Sequence, residues 1–229
     1  MTFLPVARPC LALAVLLLSP AAGAAGDDFD DGQLWMAASA SGRISGDLTG
    51  AFDTNVRATD SASHFGHFQV RGMLGWQVSE TFMAGGGYTY VWTRSPAGRV
   101  VNEHRLFQQA SFRIFAWDGG EIVGRTRLEQ RTFDNADGTS WRLRQQVRAN
   151  IPLRGPDGLR GIFHSELLIN LNEPDDNTAS GINQMRTFAG LGIPLFGETS
   201  LEAGYMNQTV FPGANRTIHI LNLGLVTRF

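Results

Sequence analysis

Residues Trp141-Arg142-Leu143-Arg144-Gln145-Gln146-Val147-Arg148-Ala149-Asn150-Ile151 alternate in character. The odd positions are apolar apart from Gln145, and the even positions are all polar. A period of two belongs to a β-strand, whose side chains point to opposite faces in turn. On a helix the five polar residues would wrap round the whole surface.

The same alternation extends in both directions. Phe68, Val70, Leu74 and Trp76 oppose His67, Gln69, Arg71 and Gln77. Phe82, Ala84, Tyr88, Tyr90 and Trp92 oppose Met83, Gly85, Gly87 and Thr89. Leu106, Ala110, Phe112 and Ile114 oppose Glu103, Arg105, Gln109, Ser111 and Arg113. Between Gly120 and Phe133 the polar face carries Arg125, Arg127, Glu129 and Arg131. Further strands are expected near residues 33–41, 46–57, 161–171, 182–195, 200–211 and 216–229. Turn residues separate them: Ser95-Pro96-Ala97-Gly98, Asp118-Gly119-Gly120, Asn135-Ala136-Asp137-Gly138 and Phe211-Pro212-Gly213.

These segments run to about 10–15 residues, and a tilted membrane strand needs about 9–11, whereas strands of soluble proteins average about 5–6. No helix is readable that could cover the apolar faces. Trp76, Tyr88, Tyr90, Trp92 and Trp141 are placed to form aromatic girdles. The expected fold is all-β: an antiparallel transmembrane up-and-down β-barrel of about 10–12 strands. Eleven segments are counted, but an even number is the rule for bacterial barrels. Either residues 33–41 do not span, giving ten, or one strand is missed, giving twelve.

The N-terminus agrees with export. Arg8, the apolar run Leu11 to Leu18, the Ser19-Pro20 break and Ala22-Gly23-Ala24 follow the order of a signal peptide. Residues 1–24 are read as a cleaved signal peptide, 25–32 as a short N-terminal segment and 33–229 as the barrel. Cys10, the only cysteine, lies before the apolar run, so the mature chain has neither disulfide nor thiolate metal site. All 19 basic residues are Arg, and the net charge of −2 gives no pull toward nucleic acid. The last strand alternates to a terminal Phe229 and resembles the C-terminal insertion signal of bacterial outer-membrane barrels, which implies that the barrel insertion machinery reads it. The expected location is the outer membrane of a Gram-negative bacterium. The expected partners are outer-membrane lipid and, transiently, that machinery. With Phe229 at the periplasm, the outward joins are the longer ones, residues 153–160 being the exception.

Glu103-His104-Arg105-Leu106-Phe107-Gln108-Gln109, Arg125-Thr126-Arg127-Leu128-Glu129-Gln130-Arg131 and Trp141-Arg142-Leu143-Arg144, in that order, resemble the domain of unknown function 2490 family of small outer-membrane barrels. Trp35, Glu166 with Asn170-Leu171-Asn172, Asn183 to Arg186 and Gly204-Tyr205 fit the same pattern. The resemblance covers residues 33–229. It implies a location and a fold and carries no assigned chemistry.

Function is therefore sought on the inner face. Parity places Asp53, Arg57, Arg71, Glu103, Arg105, Arg113, Arg125, Arg127, Glu129, Arg131, Arg142, Arg144, Arg148, His164, Glu166, Arg186 and Glu202 there. The leading reading is a structural or binding barrel with a closed, Arg/Glu-rich lumen, because buried guanidinium groups need carboxylate partners. A narrow anion-selective pore is the alternative, resting on the Arg excess. An outer-membrane lipid-modifying enzyme is the third. His164 and Ser165 are neighbours on a strand and so face opposite ways. Ser61, Ser63, His64 and His67 cluster near an outward join, and Glu173, Asp175 and Asp176 in another are the nearest approach to a cation site. No catalytic residue, metal site or cofactor is assigned.

Overall fold

The computed structural model describes residues 31–155, 157–174, 179–211 and 216–229. The signal segment 1–24, Cys10, the carboxylates of Asp175 and Asp176 and the Pro212-Gly213 turn lie outside them. Among the described residues eleven strands follow one another: β1 (Asp31–Ser45), β2 (Leu48–Thr59), β3 (His64–Ser79), β4 (Phe82–Arg94), β5 (Val100–Trp117), β6 (Gly120–Phe133), β7 (Ala136–Pro152), β8 (Arg160–Asn170), β9 (Gly181–Phe196), β10 (Thr199–Val210) and β11 (Arg216–Arg228). Each pairs antiparallel with the next, and the sheet closes on itself between β1 and β11.

That closure corrects the strand count, which is neither ten nor twelve. Residues 33–41 lie within β1, which begins at Asp31 and is hydrogen-bonded along both edges. An odd number of alternating strands leaves the first and last pointing the same way. The β1–β11 seam is accordingly parallel, with Asp31 opposite Ile218 and Ser41 opposite Arg228. A parallel ladder is only slightly weaker per residue, so the barrel can close this way. Asp31 therefore sits at the rim opposite Phe229. The C-terminal rim carries the joins β1–β2, β3–β4, β5–β6, β7–β8 and β9–β10; the opposite rim carries the joins β2–β3, β4–β5, β6–β7, β8–β9 and β10–β11.

Large apolar side chains cover the outside. Phe52, Leu74, Leu106, Val147, Ile182 and Leu221 are all exposed. Aromatic residues gather at both ends of this surface. Trp76, Phe115, Trp117 and Phe196 stand toward the C-terminal rim, and Phe115 stacks on Trp117. Trp141 stands toward the other, where Phe65 stacks on Trp92.

Gly87 is fixed by close approach. A Cβ there would lie 2.1 Å from the Gly72 carbonyl oxygen and 2.7 Å from Phe107 Cζ. The Phe107 ring thus occupies the space that a β4 side chain would take. Gly87→Ala is expected to lower stability by about 1–3 kcal/mol through overpacking, read as a shifted urea midpoint of the detergent-solubilised barrel. An unchanged midpoint would show that β3, β4 and Phe107 have room to spare.

Candidate functional site

Ion pairs across the sheet show which face is interior. Arg148 on β7 reaches Glu202 on β10 at 2.6 Å, and Arg125 on β6 reaches Glu166 on β8 at 2.6 Å. Contacts that pass over intervening strands must run through the inside of a closed barrel.

The charges form linked groups. Glu103 accepts two hydrogen bonds from Arg105, at 2.6 and 2.7 Å, and a third from Arg131. Arg105 is thus paired along its own strand rather than across the ladder. Glu129 holds Arg142 at 2.6 Å and Arg144 at 2.9 Å, with Arg127 at 3.9 Å. Glu166 holds Arg125, holds Arg144 at 2.7 Å and has Arg186 at 3.9 Å. Arg144 therefore bridges Glu129 and Glu166. Asp53 pairs in a fork with Arg71, at 2.7 and 2.9 Å. Arg113 stands apart at the C-terminal rim, 3.6 Å from Glu121. Forked pairing of this kind supplies both charge and direction to a carboxylate taken out of water.

Burial divides the lumen in two. Toward the Asp31 rim, the side chains of Glu103, Arg105, Glu129, Arg142, Arg144 and Glu166 are only 2–10% exposed. Toward the C-terminal rim, those of Asp53, Arg71, Arg125, Arg148 and Glu202 are 17–25% exposed. The gradient is clearest on β7, where Arg142 and Arg144 are buried while Gln146, Arg148 and Asn150 are half-buried. The charged side chains of the half near Asp31 thus form the drier part of the lumen, a plug of paired charges, and those toward the C-terminal rim form its wetter part, a vestibule.

Charge is not balanced. Among the described residues, the five carboxylates Asp53, Glu103, Glu129, Glu166 and Glu202 face ten guanidinium groups, the nine that pair with or approach one of these five and Arg57. Aromatic faces take up part of the excess. Arg57 lies 3.6 Å from the centroid of a Trp35 ring and donates to Asn55 Oδ1. Arg186 lies 5.3 Å from Trp35, and Arg127 lies 4.4 Å from the Phe107 ring. A cation over an aromatic face gains about 0.5–2 kcal/mol, most when desolvated.

Sequence reasoning missed this aromatic component. It also missed an apolar cluster on the same inner surface: Trp35, Ile162, Phe188, Met206, Ile218 and Ile220. Trp35 shares parity with Gln33, which accepts its indole hydrogen bond, and that parity was the available signal. For Ile218 and Ile220 there was none, because β11 is apolar on both faces.

The remaining candidates have other partners. The His164 ring stacks on Phe188, centroids 4.9 Å apart, while Ser165 points to the other face. Ser63 Oγ donates to the Asp60 carbonyl, His64 Nε2 meets the Arg94 carbonyl, and His67 Nδ1 lies 3.4 Å from Thr93 Oγ1. Glu173 accepts hydrogen bonds from the Ser180 amide and hydroxyl, which hold its carboxyl below the usual carboxylate range. The Asn102 amide and side chain do the same for Asp134 in the 134–135 turn.

Residues 32–219 match the family described as protein of unknown function DUF2490. An uncharacterised protein of Methylorubrum extorquens is 31% identical over 222 residues, which cover 96% of this chain and 97% of that one. No solved structure matches.

Proposed function

The chain belongs to the DUF2490 family, whose function is unknown, and from its geometry we propose a plugged outer-membrane barrel of a Gram-negative bacterium. In this reading residues 1–24 direct export, Phe229 is the insertion signal, and the apolar exterior stands in lipid. The protein acts as a structural or binding barrel, entered from the C-terminal rim and closed at the other. The observation that carries the reading is the inversion of polarity: apolar side chains outside, hydrogen-bonded charges inside. A soluble protein rarely leaves so extensive an apolar surface uncovered. A lipid bilayer covers it, and a closed barrel leaves no sheet edge unpaired there.

The guanidinium excess favours a second reading, a narrow anion-selective pore. Planar-bilayer recording separates the two. The plugged barrel, reconstituted without its first 24 residues, is expected to carry no steady current. Stepwise anion-selective conductance would replace the plug with the pore.

A further inference from the structure

Gly190, Gly192, Gly204 and Gly224 lie on the inner face of β9, β10 and β11, the face that carries Phe188 and Glu202. The Phe188 ring fills the space over two of them. A Cβ at Gly190 would lie 2.5 Å from Phe188 Cζ, and one at Gly204 would lie 2.8 Å from it. The other two stay bare, one on each side of Glu202, which is opposite Gly192 on β9 and Gly224 on β11. A Cβ at Gly224 would meet no heavy atom nearer than 3.9 Å. One at Gly192 would meet the end of the Ile162 side chain at 3.0 Å.

A cavity of about 230 Å³ stands over this bare floor, at the C-terminal rim. Its walls carry both signs in equal number: Arg148, Arg160 and Arg228 face Asp157, Glu198 and Glu202. At its inner end Arg148 holds Glu202 in a fork, and the two side chains keep 25% and 17% exposure. Nearer the rim stand Arg160, Arg228 and Glu198. Among the described residues their side chains make no hydrogen bond or ion pair, although all three line the one space. Ile162, Pro194 and Val226 give that space an apolar side. A lone anion here would meet three carboxylates, and a lone cation three guanidinium groups. Like charges brought together are costly, so the lining suits a solute that carries both signs.

We propose that this cavity binds a small zwitterion of the α-amino acid type with a compact apolar side chain. Its carboxylate is taken by Arg160 and Arg228, whose planar forks match a carboxylate. Its ammonium group is taken by Glu198 and Glu202, and its side chain rests against Ile162, Pro194 and Val226. The missing side chains at positions 192 and 224 let the solute lie against the backbone. This assignment gives the binding-barrel reading its ligand class and rests on that reading for entry from this rim.

The test is calorimetric titration of the folded barrel in a non-ionic detergent with L-valine. Saturable 1:1 binding is expected. The analogue without the ammonium group, 3-methylbutanoate, and the analogue without the carboxylate, isobutylammonium, should each bind about tenfold more weakly or worse, as each loses a charge-assisted contact. Arg160→Gln should weaken valine by a similar factor. It breaks no ion pair, so the fold is kept. Gly192→Val should abolish binding by filling the space beside Glu202. A β-branched residue suits a strand, and position 192 has no positive φ. Arg99→Gln, at the opposite rim, should change affinity less than about twofold. Unfolding midpoints verify that the variants are folded. No saturable binding of valine, a singly charged analogue that binds as tightly, or parental affinity in both Arg160→Gln and Gly192→Val overturns the site. A barrel that carries no current and binds no valine fails the amino-acid site alone, whereas one that conducts fails the plug.

Discussion

Glu129→Gln is expected to lower the unfolding free energy by about 3–5 kcal/mol, the usual cost of removing one partner from a buried ion pair. Glu129 is 2% exposed and holds two guanidinium groups by hydrogen bonds, with that of Arg127 close by. Arg144 keeps Glu166 after the change, but Arg142 is left with no carboxylate. Gln keeps the shape and can still accept a hydrogen bond, so the loss reports charge rather than packing. Glu202→Gln provides the contrast. Glu202 and Arg148 are 17% and 25% exposed in the vestibule, and a solvated pair is worth about 0–1 kcal/mol. Urea midpoints of the two variants, read by heat-modifiable gel migration, should differ widely. Equal effects would sink the division of the lumen into a dry half and a wet half.

Val147→Arg tests the other surface. Val147 lies near the middle of β7, 45% exposed on the apolar exterior. At the midplane of a bilayer a lipid-facing Arg costs a barrel about 2–4 kcal/mol. At an exposed position in water the same change stays within about 0.5 kcal/mol. Unfolding measured in lipid vesicles is expected to show the larger figure. The smaller one would mean that this face does not stand in hydrocarbon, and the membrane assignment would go with it.

Much of this architecture was legible in the sequence because the strand period is short and unforgiving. Arg142, Arg144 and Arg148 declare their shared face by spacing alone. Strand existence followed from the same rule, and even the parallel seam was implicit in a count of eleven that a general preference for even numbers argued against. What spacing does not encode is lean. Parity says that Glu103 and Arg105 share a face, but not that they pair with each other. Nor does it say that Arg148 stretches across the interior to Glu202 while Arg142 stays with the neighbouring strand. Those choices depend on how far each strand is staggered against the next. Turn chemistry also misled locally: Asn135-Ala136-Asp137-Gly138 reads as a loop, yet β7 begins at Ala136 and carries Gly138 at φ 86° within the strand. The Phe107 and Trp35 faces were hidden for a further reason. An aromatic residue inside a charged lumen looks, in a list of residues, like one that belongs outside.

The parallel seam has a consequence for how such a barrel can be assembled and inherited. Ten of its eleven ladders join neighbours in the chain and can zip from a turn. The eleventh joins the first strand to the last and must wait until everything between them is in place, with the largest loop-closure penalty in the molecule. Duplication of hairpins changes the number of strands by two and keeps both termini on one side of the wall. A barrel of eleven has stepped outside that arithmetic by a single strand. Asp31 and Phe229 stand at opposite mouths of the barrel, so a label placed at one and a label placed at the other report on the two mouths separately.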